Sequence, residues 1–179
     1  DLLTSTMNSP ANAPCASHTY DLLEFAQTTN EFFKIGATSD AGTTLGTSRV
    51  KAYNVLRGAW RTGTSIPGQN TLPDDDMESG STAWDSTRSL IWWHGSWRAS
   101  GNRLVSYNPA TDVATAYSAG FGGMDIDSPM AYSPDIQALV IVEGRSNETV
   151  HAIDVSTGVP VRYEVPYSGM SDLLTQHGF

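Results

Sequence analysis

Cysteine is nearly absent from this 179-residue chain: Cys15 is the only one. An internal disulfide is therefore excluded, and so is a zinc site built on several thiolates. Charge is also scarce, at 16% of residues, and lysine especially so. The ten basic residues are scattered and the net charge is −9. Nucleic acid needs a basic stripe, so it is excluded as a partner. An electrostatic anchor on anionic lipid is disfavoured for the same reason. No apolar run approaches the roughly 18 residues of a membrane span, so membrane insertion is not expected. The first residues, DLLTSTMNSPANAP, lack the basic end and apolar core of a signal peptide. The chain starts at Asp1 rather than Met, which reads as a processed chain or a piece of a longer one.

Gly, Ser, Thr, Asn and Pro are abundant beside a hydrophobic content of 39%. That mixture suits short strands joined by turns, an all-β class. Three segments then align: EFAQTTNEFFKIG (24–36), AWDSTRSLIWWHG (83–95) and AYSPDIQALVIVEG (131–144). Each has a short apolar piece, a polar turn, a run of aromatic or β-branched residues, and a closing glycine, the pattern of a β-hairpin. The third is one residue longer, which we place in its turn. A second set follows: VKAYNVLRGAW (50–60), LVSYNPATDVA (104–114) and VHAIDVSTGVP (150–160). Asn54, Asn108 and Asp154 share one position, where a short polar side chain sets a turn by accepting nearby backbone N–H bonds. The unit is two hairpins, four antiparallel strands. It recurs after 54 residues from Tyr53 to Tyr107 and after 46 from Tyr107 to Ile153. A four-stranded unit repeating about every 50 residues is the signature of a β-propeller blade.

Tyr53 and Trp60, six residues apart between them, and the following Ser65-Ile66-Pro67 resemble the blade of kelch-type β-propellers. That superfamily includes the central domain of galactose oxidase. The pattern departs in two ways. Each copy keeps one glycine of the family's Gly-Gly pair (Gly36, Gly95, Gly144), and the Trp position falls on Ala114 and Pro160 in the later copies. The resemblance spans about residues 18–166. It implies blades at 15–68, 69–119 and 120–166. Residues 1–14 read as the end of a preceding blade or a linker, and 167–179 as the start of a next element or a tail. Closed rings use about four to eight blades. Three therefore imply either further blades in the same polypeptide, the favoured reading, or closure by further subunits.

Four of the five tryptophans fall in residues 84–97. Neighbours in a strand point to opposite faces, so Trp92 and Trp93 are expected on opposite sides of one blade, both in core. The pairs Phe32-Phe33, Trp92-Trp93 and Ile141-Val142 read as one recurring position. Trp84, matching Phe25 and Tyr132, also reads as core. Trp97 lies beyond the strand beside Arg98, a pairing favoured at contact hot spots.

No histidine pair has metal-ligand spacing. His94, before Gly95, is expected as a surface or channel residue and joins Trp97 and Arg98 as a contact candidate. Asp74, Asp75, Asp76, Asp125 and Asp127 are weak Ca²⁺ candidates in inter-unit links, without the EF-hand spacing. No nucleophile elbow or phosphate loop occurs. The oxidase chemistry of the superfamily uses a copper ion, two tyrosines, two histidines and a cysteine crosslinked to tyrosine. Cys15 and Tyr20 are near neighbours but carry no matching motif. The expectation is a non-enzymatic propeller scaffold or binding module in a larger extracellular or virion-type assembly, making protein or glycan contacts without a cofactor. The alternative is a carbohydrate-active or copper-oxidase-like propeller enzyme whose site is completed outside this chain.

Overall fold

The computed structural model describes residues 22–35, 49–65, 80–95, 103–117, 120–121, 128–143 and 149–165. Among them are twelve strands and no helix. Sheet 1 comprises β1 (Leu23–Ala26), β2 (Glu31–Lys34), β3 (Arg49–Asn54) and β4 (Ala59–Ser65). Sheet 2 comprises β5 (Gly80–Asp85), β6 (Leu90–Gly95), β7 (Arg103–Asn108) and β8 (Val113–Tyr117). Sheet 3 comprises β9 (Met130–Ser133), β10 (Ala138–Glu143), β11 (Thr149–Asp154) and β12 (Val161–Val165). Each sheet is an antiparallel meander whose strand order follows the chain. The fold is all-β with three blade-like sheets, and these do not close into a ring.

Turn chemistry fixes the hairpins. The first turn of every sheet has four residues and ends in a left-handed one: Asn30 (φ 54°), Ser89 (57°) and Gln137 (49°). Gly58 and Asp112 end the second turns of sheets 1 and 2 in the same way, and Gly158 is left-handed inside the longer β11–β12 turn. As expected, Asn54 accepts the Arg57 N–H, Asn108 accepts those of Ala110 and Thr111, and Asp154 accepts that of Ser156.

Equal turns reset the repeat. Across sheet 1 the row Phe25, Phe32, Tyr53, Trp60 is in register. In sheet 2 the equivalent row is Trp84, Ile91, Tyr107, Ala114, and in sheet 3 it is Tyr132, Leu139, Ile153, Arg162. Three expectations are corrected. The extra residue of the third copy is not in its turn, which has four residues like the others; it lies at the strand end, where Glu143 pairs with Thr149 and occupies the place of Gly95. The Trp position of the third copy is Arg162 rather than Pro160, because the β11–β12 turn is longer. Finally, Phe32 matches Ile91 and Leu139, while Phe33 matches Trp92, so the three residue pairs are offset from one another.

The row just described defines the front of each sheet. The back of sheet 1 (Ala26, Phe33, Ile35, Val50, Ala52) packs against the front of sheet 2 (Ile91, Trp93, Val105, Tyr107). The back of sheet 2 (Ala83, Trp92, Leu104) packs against the front of sheet 3 (Met130, Leu139, Ile141, Ile153). Strand β5 lies beside β1 on one side and β9 on the other. Trp92 and Trp93 therefore enter different cores, each at most 3% exposed, and half-buried Trp84 packs against the first core. Phe32 does not follow: it is 49% exposed, because no described sheet covers the front of sheet 1.

Gly63 of β4 lets the first interface close. A methyl there would lie 2.7 Å from Asp112 Oδ1 and 3.2 Å from the Tyr107 hydroxyl. Gly63→Ala is expected to destabilise the protein by about 1–3 kcal/mol through overpacking, read as a lower midpoint in urea unfolding with unchanged slope.

Candidate functional site

Two polar seams run between the sheets. In the first, Glu31 of β2 accepts a two-pronged contact from Arg61 of β4, at 2.8 and 2.7 Å. The guanidinium also lies 5.5 Å from the Phe33 ring centre and 3.8 Å from Asp112 of sheet 2. Asp112 in turn accepts the Tyr107 hydroxyl at 2.8 Å. The Arg61 hydrogen bond holds the Glu31 carboxyl below its usual 4.5. Burial and then the bond to Asp112 raise the Tyr107 phenol. Paired in this way, the groups are ion-pair and packing elements with no free acid or base.

The second seam lies between sheets 2 and 3 and contains His94. Alternation along β6 puts His94 on the back of sheet 2, with Trp92. Facing it from the front of sheet 3 are Glu143 (β10), His151 (β11) and Arg162 (β12). His94, Glu143 and His151 are each 2% exposed. Arg162 Nε donates to His151 Nδ1 at 3.2 Å, and His151 Nε2 lies 3.2 Å from Glu143 Oε2. A terminal guanidinium nitrogen of Arg162 also lies 3.4 Å from His151 Nε2, so the ring is held between this cation and the Glu143 carboxyl group. Arg162 and Glu143 balance in charge across the ring.

His94 bonds to the Phe121 backbone, while its Nε2 has no hydrogen-bond partner among the described residues. Burial, opposed by that Phe121 bond and reinforced by Arg162 and His151, lowers its pKa from 6.5 to about 4. The folded state thus keeps the ring neutral where the unfolded chain would protonate it. Its contribution is fully present above pH 6.5 and is lost as pH falls from there toward 4. The loss amounts to about 3 kcal/mol by the linkage of pKa to free energy. His94→Gln is expected to flatten stability between these pH values in urea titrations. Glu31, with its lowered carboxyl, acts in a separate window beginning near 4.5.

His94 is thus not the surface or channel residue expected: it is sealed between two sheets, because both faces of sheet 2 are covered. Glu143, His151 and Arg162 show no common pattern in the sequence, since only the register brings them to one face. Trp97, Arg98, Asp74, Asp75, Asp76, Asp125 and Asp127 lie outside the described residues, as do Cys15 and Tyr20. Among the described residues, no group of three or more His, Cys, Asp or Glu is arranged to hold a metal ion.

Among the described residues, two sheet faces have no other sheet packed on them, and both are rich in apolar side chains. The front of sheet 1 carries four rings in one row, Phe25 and Phe32 at 4.9 Å and Tyr53 and Trp60 at 5.2 Å. The back of sheet 3 carries Val140, Val142, Val150, Ala152, Tyr163 and Val165, with Tyr163 54% exposed. The chain matches no protein-family model and no curated protein.

Proposed function

We propose that this chain is a kelch-like propeller module that works by contact rather than by chemistry, as a scaffold or binding part of a larger extracellular or virion-type assembly. One observation carries the reading: both terminal faces of the sheet stack are apolar, whereas contiguous exposed patches on soluble monomers are rare and mark interaction sites. The polar seams support it, since their charged groups are spent on joining strands and sheets. Blade neighbours, from the same polypeptide or further subunits, occupy the terminal faces. Trp97 and Arg98, with the loops after Gly36 and Gly144, make the protein or glycan contacts.

Two measurements test this reading: metal analysis, and a glycan array run alongside an assay for turnover of the bound sugars. The expected result is glycan binding without turnover, no stoichiometric copper, and at least a tenfold loss of binding in Trp97→Ala/Arg98→Ala. Stoichiometric copper with oxidation of a bound sugar would instead establish the enzyme alternative. Unchanged binding in the double variant would remove Trp97 and Arg98 from the site.

A further inference from the structure

We propose that the uncovered front of sheet 1 receives the back of sheet 3 from a second copy of this chain, and the reverse, closing a two-fold ring of six sheets. The proposal rests on the contact-module reading and names its partner.

The first argument is repetition. Both inter-sheet contacts within the chain join the back of one sheet to the front of the next. The two faces left over are one front and one back, the combination that packs twice already. The second argument is size. In the second contact the back supplies a large ring, Trp92, to an aliphatic front of Leu139, Ile141 and Ile153, while in the first Phe33 of the back meets Tyr107 of the front edge-on at 5.4 Å. The leftover front is the most aromatic of the three, with Phe25, Phe32, Tyr53 and Trp60. The leftover back is mainly small and branched, with Val140, Val142, Val150 and Ala152 beside a single ring, Tyr163. Large rings against a low aliphatic surface fill space at the density of an interior. Two identical aromatic fronts would not interdigitate in this way.

A head-to-tail contact makes either an open filament or a ring. Six sheets lie within the size range of closed propellers.

The test uses native mass measurement of the 179-residue chain across a concentration series, with three variants. Phe32→Asp and Val142→Asp each place a carboxylate on one leftover face, at the exposed Phe32 and the half-buried Val142, and circular dichroism verifies that the sheets stay folded. The unaltered chain is expected at twice 19.2 kDa. Each single variant is expected to be monomeric, because each spoils both contacts of the ring. Mixing the two restores a dimer through one intact contact, at an affinity at least tenfold weaker than that of the unaltered ring. The double variant stays monomeric with either partner.

A chain that remains monomeric at about 100 μM overturns the proposal. So does a dimer broken by Phe32→Asp but indifferent to Val142→Asp, which would mean front against front. A denatured mass from the native source well above 19.2 kDa also overturns it, in favour of blades from the same polypeptide. None of these outcomes touches the contact-module reading, which fails on copper and turnover alone.

Discussion

Trp92→Ala is expected to destabilise the protein by about 3–5 kcal/mol, the cost of deleting a fully buried indole. Trp92 is 1% exposed and forms the centre of the back of sheet 2. It packs with Leu139, Ile141 and Ile153 of sheet 3, and its ring lies 5.8 Å from Tyr117. The loss has two parts: a cavity between two sheets that backbone pairing prevents from collapsing, and a broken hydrogen bond from Nε1 to Asp85 at 3.2 Å. Trp93 separates them. It is 3% exposed in the opposite core, and its Nε1 has no hydrogen-bond partner among the described residues. Trp93→Phe is therefore expected to cost less than Trp92→Phe by about 1 kcal/mol, the net worth of one hydrogen bond. Urea unfolding of the three variants reads both effects. Equal costs for the two Phe variants would show that the Asp85 bond contributes nothing.

The second large effect is expected at Asp85, which is fully buried. Its Oδ1 accepts the backbone N–H groups of Thr87 and Arg88, each at 3.0 Å. Its Oδ2 accepts the Trp92 indole and the Arg88 guanidinium, the latter at 3.0 Å. Arg88 then reaches across to Tyr132 and Gln137 of sheet 3, at 3.3 and 2.7 Å. One carboxylate thus caps a turn, orients a core tryptophan and holds the cation that bridges two sheets. Asp85→Ala leaves these donors without their acceptor, and removing one partner of a buried ion pair costs about 3–5 kcal/mol. Asp85→Asn keeps an acceptor for the turn and is expected to cost roughly half as much. A double-mutant cycle of Asp85→Ala with Trp92→Ala should show coupling of about 0.5–3 kcal/mol. Strict additivity would mean that the turn alone explains the loss.

The strand pattern and the turn acceptors were legible in the sequence because they are local. Alternation, Asn-Pro and Asp-x-x-x-Gly turns, and the Tyr53–Trp60 spacing all act within a dozen residues. Registration between copies was not. The four-residue turns end on Asn30, Ser89 and Gln137, three unlike residues in one left-handed conformation, so composition gave no common marker to align them. A one-residue slip changes which face a side chain meets. That is why Phe32 and Phe33 were matched to the wrong tryptophans and Arg162 was missed. The second seam was illegible for the same reason: Glu143, His151 and Arg162 come from three strands and meet only once the register is known. His94 was visible as a residue but not as a buried one, since its burial depends on sheet 3.

The meander of each sheet has a bearing on how the protein is made. No strand of a sheet awaits a partner from another sheet, so pairing can proceed as the chain leaves the ribosome, over short sequence separations that favour rapid closure. Burial of side chains, by contrast, runs one sheet behind. The back of sheet 1, with Phe33 and Ile35, stays wet until β5 to β8 have emerged, and Trp92 waits for β9 to β12. Synthesis therefore passes through stages in which the newest sheet is hydrogen-bonded but has a sticky side. The same serial layout means that a tandem duplication of one unit's coding segment adds a sheet without rethreading its neighbours, and an in-frame deletion removes one just as cleanly.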